Sequence, residues 1–110
     1  MAAASGPPGQ ATELEIRVEC LDADGLEVRT SGWLWAEIES AGQRWTVGPV
    51  DLQNRQTNLG HFEGITRSYR LSVTLPAEAR PAPGSEVEIN AFLRPPDGTL
   101  LTDRRSLAWR

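Results

Sequence analysis

Leu14-Glu15-Ile16-Arg17-Val18-Glu19-Cys20 alternates apolar and charged residues one for one, and three later stretches repeat the device. Tyr69, Leu71, Val73 and Leu75 are interleaved with Arg70, Ser72 and Thr74. Val87, Ile89, Ala91 and Leu93 are interleaved with Glu88, Asn90 and Phe92, and Leu34, Ala36 and Ile38 with Trp35 and Glu37. Successive side chains of an extended chain point to opposite faces, so each stretch builds a strand with one apolar and one wet face. No apolar repeat at helical spacing persists, although one turn of helix around Asn54 fits the local sequence.

Short glycine-containing turns bracket these strands. Asp22-Ala23-Asp24-Gly25 predicts a type I turn with glycine in the left-handed position, joining a strand over 13–21 to a short one over 26–29. Ser40-Ala41-Gly42 predicts a hairpin between strands over 32–40 and 43–50. Pro95-Pro96-Asp97-Gly98 predicts another, between 86–94 and 99–102, because each proline fixes its own φ and withholds a ladder donor. Residues 106–110 complete the set as a last short strand.

Two connections exceed the usual length of about 4–6 residues. The amide-rich stretch over 51–66 either crosses between sheets or carries function, and the proline-bearing stretch over 77–84 reads as a crossover. Residues 1–11, built of Ala, Gly, Pro and Ser with little to bury, are expected to form a flexible leader ahead of a single domain over 12–110. The fold class expected is all-β: an antiparallel β-sandwich of six to eight strands with Greek-key connections, with a partly open β-barrel as the alternative.

Composition narrows the function classes. A chain of 110 residues makes one domain with one core. Its net charge of −4, with no basic cluster, argues against nucleic acid as a partner. All 11 basic residues are arginines, so Schiff-base chemistry and a P-loop lysine are excluded. Cys20 is the single cysteine and rules out an intrachain disulfide and a cysteine metal cluster; its place in the strand pattern makes it a small buried hydrophobe. No segment approaches the length of a membrane span, and nothing calls for a cofactor. Taken as a complete chain the sequence implies a cytoplasmic location; taken as a piece of a longer protein it is compatible with export.

The segments Leu14-Glu15-Ile16-Arg17-Val18 with the turn at Asp22-Ala23-Asp24-Gly25, Ser68-Tyr69-Arg70-Leu71-Ser72-Val73, and Glu86–Arg94 before Pro96-Asp97-Gly98 carry a family likeness. In them the chain resembles the immunoglobulin-like and fibronectin type III-like accessory modules of bacterial multidomain proteins. It lacks the Cys…Trp…Cys core of true immunoglobulin domains. The resemblance implies a non-catalytic spacer or binding module, and it transfers no functional residue, because such modules share an architecture and not a site.

Candidate functional residues follow from the alternation itself. With Leu34, Ala36 and Ile38 facing inward, Trp33 and Trp35 face outward beside Glu37 and Glu39. Outward indoles need a cover: the chain's own long loop, a neighbouring domain, a protein partner or a sugar ring. Trp45 joins the core opposite Ile38 if the turn at Ala41-Gly42 has two residues, and moves opposite Glu37 if Gly42 forms a bulge. Asn54, Arg55, Asn58, His61 and Phe62 of the long loop complete the expected contact surface. Arg17, Arg70 and Arg94, alternating with Glu15, Glu19 and Glu88, are expected to pair across strands.

Three functions are in play. The first is a non-catalytic accessory module that contacts a protein partner or spaces domains. The second is a carbohydrate-binding module working through exposed tryptophans. The third, remote, is a hydrolase or metal-dependent enzyme centred on His61, the only histidine, with Ser68 or Ser72 as a triad partner. Asp22, Asp24 and Gly25 resemble the start of a calcium loop, but no distal Glu follows at the required spacing, and the hairpin accounts for all three residues.

Overall fold

The alternating stretches fold as strands whose apolar faces meet. The structure, a computed structural model, describes residues 2–5, 12–40, 42–75, 81–82 and 84–109, with backbone alone for 2–5 and 12. In chain order the elements are β1 (Ala2–Ser5), β2 (Thr12–Val18), β3 (Trp33–Ser40), β4 (Gln43–Asp51), α1 (Arg55–His61), β5 (Phe62–Glu63), β6 (Ser68–Leu75), β7 (Glu86–Arg94) and β8 (Leu101–Ala108). They form two four-stranded sheets, ordered β1-β2-β6-β5 and β4-β3-β7-β8, with every pair antiparallel. The sheets share no strand, so the fold is the expected β-sandwich and not a barrel.

Period two dictates the core. Leu14 and Ile16 of β2, Leu34, Ala36 and Ile38 of β3, Tyr69, Leu71 and Leu75 of β6, and Val87, Ile89 and Leu93 of β7 are all buried. Each large apolar side chain so buried is worth about 1.5–3 kcal/mol, which makes sheet-on-sheet packing the main term holding the domain together. Val47, Leu52 and Trp109 join this core from outside the alternating stretches. Val18, Cys20 and Val73, expected inside, are only partly buried.

The turn at Asp22–Gly25 forms as its residues require. The Gly25 N–H donates to the Asp22 carbonyl at 3.0 Å with φ +78°, and Asp22 Oδ1 accepts from the N–H groups of Asp24 (2.9 Å) and Leu26 (3.0 Å). The short strand expected over 26–29 does not form. Its arm makes one bridge, Leu21 to Glu27, and a hydrogen bond from Val28 N–H to the Cys20 carbonyl at 2.8 Å. With Leu26 62% exposed and Val28 half-buried, it joins neither sheet.

Two further expectations are corrected. The short strands over 99–102 and 106–110 are one strand, β8, because its register against β7 runs unbroken from Leu93–Leu101 to Glu86–Ala108. Within the expected flexible leader, Ala2–Ser5 pairs with β2, Ala2 opposite Ile16 and Ser5 opposite Glu13. Strand pairing uses backbone groups, so small side chains do not prevent it; the rest of the expected leader lies outside the described residues.

Candidate functional site

The outer face of the second sheet carries the tryptophans. Trp33 is 43% exposed, while its neighbour Leu34 is fully buried, so the indole stands on the solvent side of β3. Trp35, on the same face, stacks on Phe92 of β7 with ring centroids 5.3 Å apart and planes 11° from parallel. Phe92 sits directly opposite Trp35 in the β3–β7 register, which is why the rings meet. The two indoles, with Thr46 and Pro49 of β4 and Arg94 of β7, line an open groove.

A bulge in β4 shapes that groove. Leu34 pairs with Val50 but Ala36 with Val47, so β4 carries one extra residue there. Gly48 occupies the bulge at φ +93°, and a side chain on it would press on the Leu34 carbonyl at 3.0 Å and on Trp35 Cβ at 3.3 Å. Glycine therefore lets the backbone lie against Trp35.

The structure settles Trp45. Ser40 pairs with Gln43 and Ile38 with Trp45, which is the two-residue turn, and Trp45 packs against the core from its edge. It belongs to the opposite face from Trp33 and Trp35 and takes no part in their groove.

The loop residues expected to join the indoles lie elsewhere. The segment over 52–63 carries the chain from β4 at the edge of one sheet to β5 at the edge of the other, so its length serves a crossover. Asn54 caps α1, its side chain accepting from the Thr57 N–H at 3.0 Å. Arg55 is exposed on that helix. Phe62 meets Tyr69 edge-on at 5.1 Å between centroids.

Asn58 is 4% exposed and is a structural residue. Its Nδ2 donates to the carbonyls of Thr30 (2.6 Å) and Leu52 (3.0 Å), and its Oδ1 accepts from Arg29 Nε at 3.2 Å. The Tyr69 hydroxyl accepts from the Thr30 N–H at 2.8 Å, and its single proton has the Thr30 carbonyl and Asn58 Oδ1, both at 3.1 Å, as acceptors. One amide thus satisfies the backbone of the 29–32 approach to β3 and the end of β4 together. Nothing local in the sequence distinguishes Asn58 from Asn54 or Gln56.

His61 is half-buried, with Nδ1 2.9 Å from the Arg70 carbonyl. Ser68 is buried and its hydroxyl meets Thr66 Oγ1 at 2.7 Å. Among the described residues no hydrogen bond links His61 to Ser68 or Ser72. Burial pushes the Cys20 thiol up from its ordinary pKa, holding it protonated.

The charge pairs form in part with residues outside the expected set. Arg17 sits opposite Arg70 but bonds Glu63 of β5 and Glu15 of its own strand, the latter at 2.9 Å. Hydrogen bonding to Glu63 first, with the nearby charges of Glu15 and Glu63, raises the Arg17 pKa against a smaller desolvation effect. Glu88 pairs with Arg104 of β8.

No protein-family model, curated protein or solved structure matches the chain.

Proposed function

We propose that this domain is a non-catalytic accessory module of immunoglobulin-like type that contacts a protein partner or a neighbouring domain through the outer face of β3. One observation carries the reading: Trp33 and Trp35 stand side by side on a solvent-facing sheet surface, against a groove that includes Thr46, Pro49 and Arg94. Exposed tryptophan with arginine at its rim is the composition enriched where proteins meet. The strand order β1-β2-β6-β5 over β4-β3-β7-β8 supports the immunoglobulin-like part, since it follows the two-sheet order of such sandwiches. The contact surface so proposed is Trp33, Trp35, Thr46, Pro49 and Arg94, without Trp45 and Asn58, which serve the core and the crossover.

Carbohydrate binding uses the same groove and is separated by experiment. A photo-crosslinking residue in place of Trp33, with the chain in its native gene context, is expected to attach to another polypeptide or another part of the parent chain. Trp35→Ala is expected to abolish that attachment while the far-UV circular dichroism stays unchanged. A saturable change in tryptophan emission with a glycan, and no crosslink, replaces this reading with the carbohydrate one. The absence of both removes the groove as a contact site.

A further inference from the structure

From the edge strand β8 we infer a second interaction surface, distinct from the tryptophan groove, whose partner is a second copy of this chain. Among the described residues β8 lies at the end of its sheet and pairs with β7 alone. Seven of its eight residues, all but Leu107, are exposed, and Leu101 is 52% exposed although it lies on the core-facing side opposite Leu93. A long edge strand offers unpaired backbone groups to another strand. Within the strand the Arg104 N–H donates to Asp103 Oδ1 at 3.0 Å.

The side chains specify the partner. Leu101-Thr102-Asp103-Arg104-Arg105-Ser106-Leu107 is self-complementary about Arg104. Laid antiparallel on itself with Arg104 at the two-fold axis, the strand places Leu101 opposite Leu107, Thr102 opposite Ser106 and Asp103 opposite Arg105, each pair occurring twice. The leucine and ion pairs share the core-facing side, since 101, 103, 105 and 107 face the way Leu93, Ala91, Ile89 and Val87 do. Arg104 meets its own copy on the outer side, where each already pairs with Glu88 of its own chain.

Moving the axis by one residue brings Asp103 against Asp103 or Arg105 against Arg105. Each of the three registers sets one like-charged pair at its axis, but only the Arg104 register adds two Asp103–Arg105 pairs and two leucine pairs, and that surplus selects it. Asp103 and Arg105 now bond each other within the strand at 3.4 Å, both largely exposed, and need only exchange partners. The product is a continuous eight-stranded sheet across an isologous interface, small in area and so weakly held.

Sedimentation velocity on the full chain from about 10 μM to about 1 mM, the range suited to a small interface, tests this. The wild type is expected to pass from monomer to dimer. Asp103→Arg and Arg105→Asp each set like charges opposite at two places and are expected to weaken the dimer about tenfold or more. Mixed together, the two variants face unlike charges at both the 103 and 105 positions, with Arg104 as in the wild type, and are expected to associate within about threefold of the wild type. Should either variant fail to fold, the wild type alone decides: its β8 amide resonances are expected to shift with concentration. A wild type that stays monomeric throughout, a dimer indifferent to both charge reversals, or folded variants whose mixture does not associate each overturns the inference. A dimer lost on Trp33→Ala but kept by Asp103→Arg also overturns it, and leaves the tryptophan proposal standing.

Discussion

On its β4 side the sandwich is sealed by chain: α1 crosses from one sheet to the other, and Asn58 fills the gap with hydrogen bonds to both flanking segments. On its β8 side the connection from β2 to β3 passes from one sheet to the other without closing the gap. There the core-facing row ends in exposed Leu101 and Asp103, and a cleft opens between the sheets, lined by Val18, Cys20, Leu21, Val28, Ala91 and Leu93. Both sides border the same two sheets and draw on the same apolar core. The difference teaches that burial alone does not close a sandwich: a satisfied polar network does so on one side, and where none exists the fold leaves a strand free to pair.

That contrast breaks most severely at Tyr69, fully buried and bonded into the sealed side. Tyr69→Ala is expected to cost about 4 kcal/mol of stability by urea denaturation, through lost packing and a vacated hydroxyl. Asn58→Ala is expected to cost about 2 kcal/mol, because the Leu52 carbonyl loses its side-chain donor and the Thr30 carbonyl keeps only the Tyr69 hydroxyl. Both losses belong to the sealed side; a stability change under half these sizes would mean that the crossover is not what closes it.

Between the two sides, on the outer face, Trp35→Ala is expected to cost about 1 kcal/mol through the lost stack on Phe92. At the open side, Leu101→Ser is expected to change monomer stability by no more than about 0.5 kcal/mol, measured at a dilution where only monomer exists. The smallest effect is one of pH. Because burial raises the Cys20 pKa, the neutral thiol contributes stability that is fully present below the unfolded thiol's pKa and is lost as pH rises through the folded one. Cys20→Ala is expected to flatten the alkaline end of a stability profile and leave its neutral part unchanged.

The legible parts of the molecule are those where one local rule decides. Alternation places β2, β3, β6 and β7, and with them the outward setting of Trp33 and Trp35, because strand period admits only two faces. It cannot supply α1, whose seven residues are held by an N-cap and by packing and not by an amphipathic stripe. Nor does it show that the arm over 26–29 stays outside both sheets, since joining a sheet depends on a free neighbour. β8 was split in two because Asp103, Arg104 and Arg105 interrupt any apolar pattern; continuous pairing with β7 organises it instead. The roles of Asn58 and Trp45 are not legible locally because they depend on contacts beyond their own stretch: Tyr69 and Thr30 for the first, the two-residue turn for the second.

Hydrogen–deuterium exchange of the full chain, followed residue by residue at low concentration, tests the asymmetry most directly. The account predicts that the amides of 52–58 and of the neighbouring β3 and β6 exchange with the slow rates of the core, while the β8 amides directed away from β7 exchange orders of magnitude faster. Equal protection on the two sides, or a crossover that exchanges as fast as β8, would contradict it.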